Sequence, residues 1–383
     1  MPWLALVAPA ILTKPPACPL KRGMMATADF VYQSAPARVV FGAGAIAKAA
    51  DEAARLGIGR ALVLSTAEQK ADGVRVAALL GARAKVVFAG ARKHTPVAVT
   101  EAAMTIVERE AIDGTVAIGG GSTTGLGKAI ALRTDLPQLV IATTYAGSEM
   151  TDLLGETAGG EKKTLRDPRV RPETVIYDPD LTLVLPVALS AASGLNAIAH
   201  AVEGLYARDG NPVVSLMAED GIRALAAALP AIAREPGDSA ARSDALYGAW
   251  LCAMVLGATS VAIHHKLCHV LGGTFDLPHA ETHAVVLPHA VAYNAAAVPD
   301  AIGRVARALA VADAAAGLYD LAKRAGAPTA LRDIGMPRSG LDRAADLAAA
   351  DPYWNPRPIE RAAIRALLDD AWHGRRQQVS GGG

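Results

Sequence analysis

The feature that most constrains this chain is a change of rhythm near residue 187. Before it, short β-rich runs at Arg38–Phe41, Ala61–Ser65, Ala84–Phe88, Gly114–Ile118, Leu139–Thr143 and Thr174–Tyr177 alternate with Ala-rich amphipathic stretches. Strands separated by helix-length segments return to the same end of a sheet, so they run parallel and need helices on both faces. After it, the segments Ala188–Arg208, Val213–Arg234, Ser243–Leu256 and Ala280–Ala297 carry helical spacing and almost no β-branched runs. The expected architecture is a Rossmann-like α/β domain over 24–186 followed by an all-helical domain over 187–383, with 375–383 a frayed tail.

Charge narrows the partners. Thirty-eight Lys+Arg stand against 37 Asp+Glu, a net charge of +1, which gives no overall attraction to nucleic acid or to an anionic membrane. The apolar run Trp3–Leu12 lacks a basic flank and is shorter than the roughly 20 residues of a membrane span. Residues 1–23 are read as a non-native or disordered extension, with translation expected to start at Met24-Met25 and a weak presequence as the alternative. Three scattered cysteines, Cys18, Cys252 and Cys268, form no disulfide framework, and a cytoplasmic location is expected.

Two glycine turns compete as phosphate cradles. Gly42-Ala43-Gly44-Ala45-Ile46-Ala47 follows a strand and has the spacing of a dinucleotide fingerprint. The next strand, however, ends in Ser65-Thr66 where a ribose-binding carboxylate is expected, and a tight turn alone also explains two glycines. Gly119-Gly120-Gly121-Ser122 is the better cradle: consecutive glycines let backbone N–H groups approach a pyrophosphate at a helix start. The loop Thr143-Thr144-Tyr145-Ala146-Gly147-Ser148-Glu149 adds hydroxyls that can bond a ribose or an amide, or simply cap a helix at Thr144 or Ser148.

Histidines concentrate in the helical half: His200, His264, His265, His269, His279, His283 and His289. Asn196 and His200 are four apart, as are His265 and His269, so each pair shares a helix face. Two such helices facing one another, with His279 arriving after Asp276-Leu277-Pro278, place several imidazoles around one cleft.

These motifs together, Gly119–Ser122, Thr143–Thr151, Asp178-Pro179, Gly194–Glu203 and His265–His289, resemble the iron-containing alcohol dehydrogenase family over about residues 37–358. That resemblance implies a nucleotide-binding α/β domain, a helical domain, and a divalent metal between them held by one Asp and three His. The histidines would be His200, His265 and His279, while Asn196 stands at the Asp position and Gly125 where a second Asp is usual. A neutral Asn and neutral imidazoles give a divalent ion no anionic ligand, so the set reads as a vestigial metal site. The departures, with His264–Gly273 and Asp351–Pro358, are similar to the branch of maleylacetate reductases, which need no metal.

The resemblance then implies hydride transfer from NADH or NADPH to the carbon–carbon double bond of maleylacetate, giving 3-oxoadipate in aromatic and chloroaromatic catabolism. Expected roles are orientation and enolate stabilisation by Asn196, His200, His265 and His279, with Tyr145 as a further donor and His269 as proton donor. Lys266 and Arg357 are candidates for the substrate carboxylates, with a solvated surface charge as the alternative for each. Cofactor contacts are expected from Ser65, Thr66, Gly120, Gly121, Ser122, Thr143, Thr144 and Ser148, and from Lys162 or its neighbour Lys163. With no carboxylate at 65–66 to repel a 2′-phosphate, both coenzymes are expected to work, and the family suggests a homodimer. The rivals are a metal-dependent alcohol or glycerol dehydrogenase, a dehydroquinate synthase-like lyase, and a nucleotide-binding protein without catalysis.

Overall fold

Buried strands flanked by helices on both sides must be apolar at every position, and the central strands are. The computed structural model describes residues 37–159, 161–350 and 353–377, with the side chains of Glu161 and Lys162 excepted. The proposed extension 1–23 and residues 378–383 of the tail lie outside the described residues; Arg375 and Arg376 of that tail are ion-paired to Asp369 and Asp320.

Strands β1 (Arg38–Phe41), β2 (Ala61–Leu64), β3 (Ala84–Phe88), β4 (Gly114–Gly119), β5 (Gln138–Ala142) and β8 (Thr174–Tyr177) form one parallel sheet in the order β1-β8-β5-β4-β2-β3. Alternation sorts their side chains. Ala61, Val63, Val116, Ile118 and Ile141 pack against α1 (Ala49–Arg55) and α2 (Lys70–Leu80). Leu62, Leu64, Ala117 and Val140 face α3 (Val97–Arg109) and α4 (Gly121–Thr134). Between β5 and β8 the chain inserts an antiparallel hairpin, β6 (Leu153–Ala158) and β7 (Glu161–Arg166), that the sequence reading did not anticipate.

The glycine turn after β1 has its own explanation. Gly44, at φ 69°, and Ile46 both donate N–H groups to the buried carboxylate of Asp178, each at 3.0 Å. Those amides bind the segment after β8 to the turn after its neighbour β1, and the turn is a structural joint.

The helical half comprises α5 (Val187–Tyr206), α6 (Pro212–Arg234), α7 (Ser239–Ala258), α8 (Ile263–Phe275), α9 (His279–Asn294), α10 (Pro299–Leu309), α11 (Ala314–Ala325), α12 (Leu341–Ala350) and α13 (Arg361–His373). Helices α6 and α7 cross so closely that a Cβ on Gly248 would lie 2.9 Å from the Gly221 carbonyl. The fully buried Arg242 of α7 donates to Ser190 Oγ at 2.7 Å and to the Leu185 carbonyl at 3.0 Å, anchoring the start of α5.

His289 of α9 is buried with neither ring nitrogen hydrogen-bonded. Burial pushes it down to about 4 from 6.5, partly opposed by the Asp370 carboxylate. The unfolded chain takes up this proton below about 6.5 but the folded chain only near 4, so stability falls as pH drops through that window. His289→Leu should remove about 3 kcal/mol of that loss, at about 1.4 kcal/mol per pH unit. Urea unfolding of both proteins at pH 7 and pH 4.5 measures it; equal losses would contradict the assignment.

Candidate functional site

In an open parallel sheet a ligand crevice forms where successive connections leave in opposite directions. Here β2 connects outward to β3 while its neighbour β4 connects the other way to β5. The carboxyl ends of β2 and β4 carry Thr66 and Gly119–Ser122, and a cavity of about 750 Å³ opens there, lined also by Gln69, Thr144, Ser148 and Asn196.

Glycine is needed at two positions of this cradle, each for a separate reason. Gly119 has φ 145°, and a Cβ on it would lie 2.6 Å from Thr123 Oγ1. A Cβ on Gly120 would lie 2.8 Å from Thr144, and one on Gly121 would project into open space. The amino end of α4 thus presents bare backbone N–H groups to the cavity, which fits a pyrophosphate. At Gly125, one turn into α4, a Cβ would run into Thr95 Oγ1, so Thr95 takes the room a larger side chain would need.

Lys128, further along α4, was not singled out from the sequence. It is fully buried, and its ammonium donates to the carbonyls of Ser148 (2.6 Å), Thr151 (2.9 Å) and Leu153 (2.8 Å) and to Thr151 Oγ1 (2.9 Å). One cation therefore holds the whole loop between β5 and β6 against the glycine cradle. Burial pushes Lys128 down to about 7, with Glu149 and Asp152 pulling the other way. Glu149 is itself buried, raised by that burial, and accepts a hydrogen bond from Tyr177 at 2.8 Å.

The opposite wall is built from α5, α8 and α9. Asn196, His200 and Glu203 fall at i, i+4 and i+7 on one face of α5. Helix α8 lacks a side-chain cap of its own; the Glu203 carboxylate accepts from the backbone N–H groups of Ala262 and His264, each at 2.8 Å. It also accepts from His265 Nδ1 at 2.6 Å. A carboxylate that already holds two N–H donors can only accept, so the His265 proton sits on Nδ1 and Nε2 is left bare.

Around that nitrogen the rings close up. His200 stacks on His265 with centroids 5.1 Å apart, His283 lies 5.1 Å from His265, and His279 lies 4.4 Å from His283. Burial, reinforced by neighbouring imidazoles, pushes His200, His264 and His283 well below the usual range, so they are neutral at pH 7. Asn196 Oδ1, His200 Nδ1 and His265 Nε2 are buried with no hydrogen-bond partner. His269 lines a second cavity of about 680 Å³, which adjoins the first through His94, Asp276, Leu277 and His279.

As placed, Asn196, His200, His265 and His279 do not fit a tightly held divalent ion. No donor among them is anionic, and the nitrogens of the three histidines are not gathered. Among the described residues, the one His/Cys/Asp/Glu group with donor atoms within 4.8 Å of one another is His264, Cys268 and His283.

Several expected contacts stand away from the cavity walls. Lys266 Nζ lies 5.5 Å over the Tyr353 ring, because one residue beyond His265 the helix has turned by about 100°. Arg357 packs its guanidinium 4.1 Å over Tyr293 and donates to the Tyr293 carbonyl, a structural tie to α9. Tyr145 is fully buried in the helical core. Ser65 is sealed under Gly73 of α2, and Thr143 accepts from Gln69 Nε2 at 3.1 Å, so Thr66 and Gln69 meet the cavity instead. Lys162 pairs by backbone with Thr157, and its side chain is outside the described set; Lys163 lines the second cavity.

Comparison with known proteins agrees with this architecture. Residues 36–179 match the model for iron-containing alcohol dehydrogenase, and 190–372 that for the C-terminal region of the same family. The chain belongs to the iron-containing alcohol dehydrogenase family. It is 59% identical to a maleylacetate reductase of Burkholderia cepacia over 90% of this chain and 98% of that one. It is 57% identical to that of Rhizobium sp. (strain MTP-10005), over 91% and 99%. The crystal structure of maleylacetate reductase from Agrobacterium tumefaciens superposes with a TM-score of 0.89 at 56% identity, covering 92% of this chain and all of that one.

Lys128→Met should remove the buried ammonium's hydrogen bonds to this loop, although the Ser148 carbonyl keeps its bonds from Thr151, costing about 2–4 kcal/mol and weakening dinucleotide binding about tenfold. Thermal unfolding and coenzyme titration by fluorescence measure both. A variant that loses neither would show that the loop is held by other contacts.

Proposed function

We propose that this protein reduces the carbon–carbon double bond of maleylacetate with NADH or NADPH, giving 3-oxoadipate, and that it requires no metal. The observation that carries the reading is Asn196: an uncharged side chain with an unpartnered oxygen, beside neutral His200 and the bare Nε2 of His265. The high identity to maleylacetate reductases supports the same substrate. The setting we propose is cytoplasmic breakdown of aromatic compounds by a homodimer.

A reduced nicotinamide, when bound, supplies hydride. The glycine cradle, Ser122 and the hydroxyls of Thr66, Thr144 and Ser148 hold the dinucleotide along the first cavity. That direction brings its reactive end toward Asn196 and His279. The alkene is conjugated to a ketone, so hydride addition drives charge onto the carbonyl oxygen as an enolate. Ring N–H groups of His200 and His279 and the amide N–H of Asn196 receive that charge, while His265, whose Nε2 carries no proton, helps to orient the substrate. His269, exposed on the second cavity, delivers the proton that completes the product. With Lys266 and Arg357 packed elsewhere, the substrate carboxylates fall to Lys93, Lys163 and the uncapped amino end of α9.

The test is coenzyme oxidation with maleylacetate, run on chelator-treated protein and on protein given ferrous or zinc ion. Equal rates are expected. If maleylacetate is inert while the metal-loaded sample oxidises simple alcohols, the protein is a metal-dependent dehydrogenase.

Thr66, on the cavity wall at the end of β2, sets coenzyme choice in this reading. Thr66→Asp should raise the preference for NADH over NADPH by about tenfold or more, by repelling a 2′-phosphate. An unchanged ratio of kcat/KM values would place the ribose elsewhere.

A further inference from the structure

Behind the cleft wall lies a cluster that the proposed reaction does not use. His264 and Cys268 are four apart on α8, hence on one face, and His283 of α9 packs against them. All three are buried. His264 Nε2 lies 2.9 Å from His283 Nδ1 and 3.7 Å from Cys268 Sγ, and the three donor atoms fall within 4.8 Å of one another.

We propose that His264, Cys268 and His283 form a binding site for a thiophilic divalent cation of the zinc and cadmium class, separate from the four positions that carry the metal in metal-dependent members of the family. Tetrahedral coordination with ordinary zinc bond lengths sets nitrogen–nitrogen separations of about 3.4 Å and nitrogen–sulfur separations of about 3.6 Å. The sulfur is already at that distance, and the two imidazoles need to part by about half an ångström. Cys268 also lines the second cavity, which gives the ion a way in and leaves the fourth position to water.

The protons balance. In the hydrogen-bonded pair one proton lies between His264 Nε2 and His283 Nδ1. The outer nitrogens, His264 Nδ1 and His283 Nε2, have no partner in the resting arrangement. On binding, both imidazoles stay neutral with their N–H on the outer nitrogens, the inner lone pairs turn to the cation, and the Cys268 thiol gives up one proton to water. The donor set of one thiolate and two imidazoles selects soft and borderline ions over magnesium or calcium.

An ion held there staples α8 to α9. The His264 ring lies 5.2 Å from His265 and the His283 ring 4.4 Å from His279, so the staple displaces both cleft-facing histidines from behind. The site is therefore inhibitory, with the ion outside the reacting volume.

The test uses the full chain, stripped with chelator and titrated with cadmium chloride. Expected are one tightly bound equivalent, a thiolate-to-cadmium charge-transfer band in the ultraviolet, one proton released per ion, and loss of reductase activity in step with the band. Cys268→Ser should abolish the band, and both it and His283→Gln should weaken binding by more than about tenfold. Cys252→Ser and Cys18→Ser should leave band and affinity unchanged. Circular dichroism establishes that each variant is folded, and His283→Gln, which keeps the thiol, serves where Cys268→Ser does not fold. Cadmium bound without the band, a band that survives Cys268→Ser, or an affinity indifferent to His283→Gln would each overturn the proposal.

Discussion

The helical half depends on one buried carboxylate. Glu203 is almost wholly withdrawn from water, and an ionised group there is tolerated only when its oxygens are fully engaged. It accepts from two backbone amides at the start of α8 and from His265. The same contacts that stabilise the anion fix where α8 begins, how far it is rotated, and which imidazole nitrogen is left bare. Since Glu203 lies on the stripe of α5 that carries Asn196 and His200, three of the four cleft-wall positions are set by one helix face and its single acidic anchor.

Across the cleft the α/β half uses the complementary device. Lys128 is a buried cation whose acceptors are carbonyls of the loop between β5 and β6, where Glu203 is a buried anion whose donors are amides. Lys128 orders a loop that lines the cavity, and Glu203 fixes the start of α8 behind it. Unpaired backbone groups near a binding site are expensive, and engaging them with a charged side chain leaves the walls rigid before any ligand arrives. The glycine cradle is consistent with this: its amides are the backbone donors left for a ligand.

Much of this was legible in the sequence, for identifiable reasons. A parallel strand buried on both faces is apolar throughout, so Ala61–Leu64 and Gly114–Gly119 stood out from the amphipathic segments around them. The hairpin β6–β7 did not, because Glu-Lys-Lys-Thr-Leu-Arg has neither clean alternation nor a hydrophobic run. Spacing placed Asn196 with His200 and His265 with His269, and the same arithmetic carried one step further reaches Glu203. Lys266, Arg357 and Tyr145 are candidates by chemical type alone, which does not say which way a side chain points. Lys266 illustrates the difference, since adjacency to His265 on a helix is a reason to face elsewhere. Lys128 was hidden because one lysine in a run of small and apolar residues gives no hint of the carbonyls that surround it.

Asn196 links the electrostatics of the cleft to the proposed chemistry. A carboxylate at that position makes sense when a divalent cation neutralises it. Without the cation, a fixed negative charge would face a substrate that brings two carboxylates and gains a third charge as the enolate forms. Two like charges about 4 Å apart repel by about 4 kcal/mol at the effective dielectric of a partly exposed site, enough to slow a reaction several hundredfold. The neutral amide removes that repulsion, and the same substitution removes the anionic ligand that would hold the metal. In the proposed reaction, doing without the ion and accepting a dicarboxylate would follow from a single change, with neutral imidazoles and backbone amides left to receive the charge that the reaction creates.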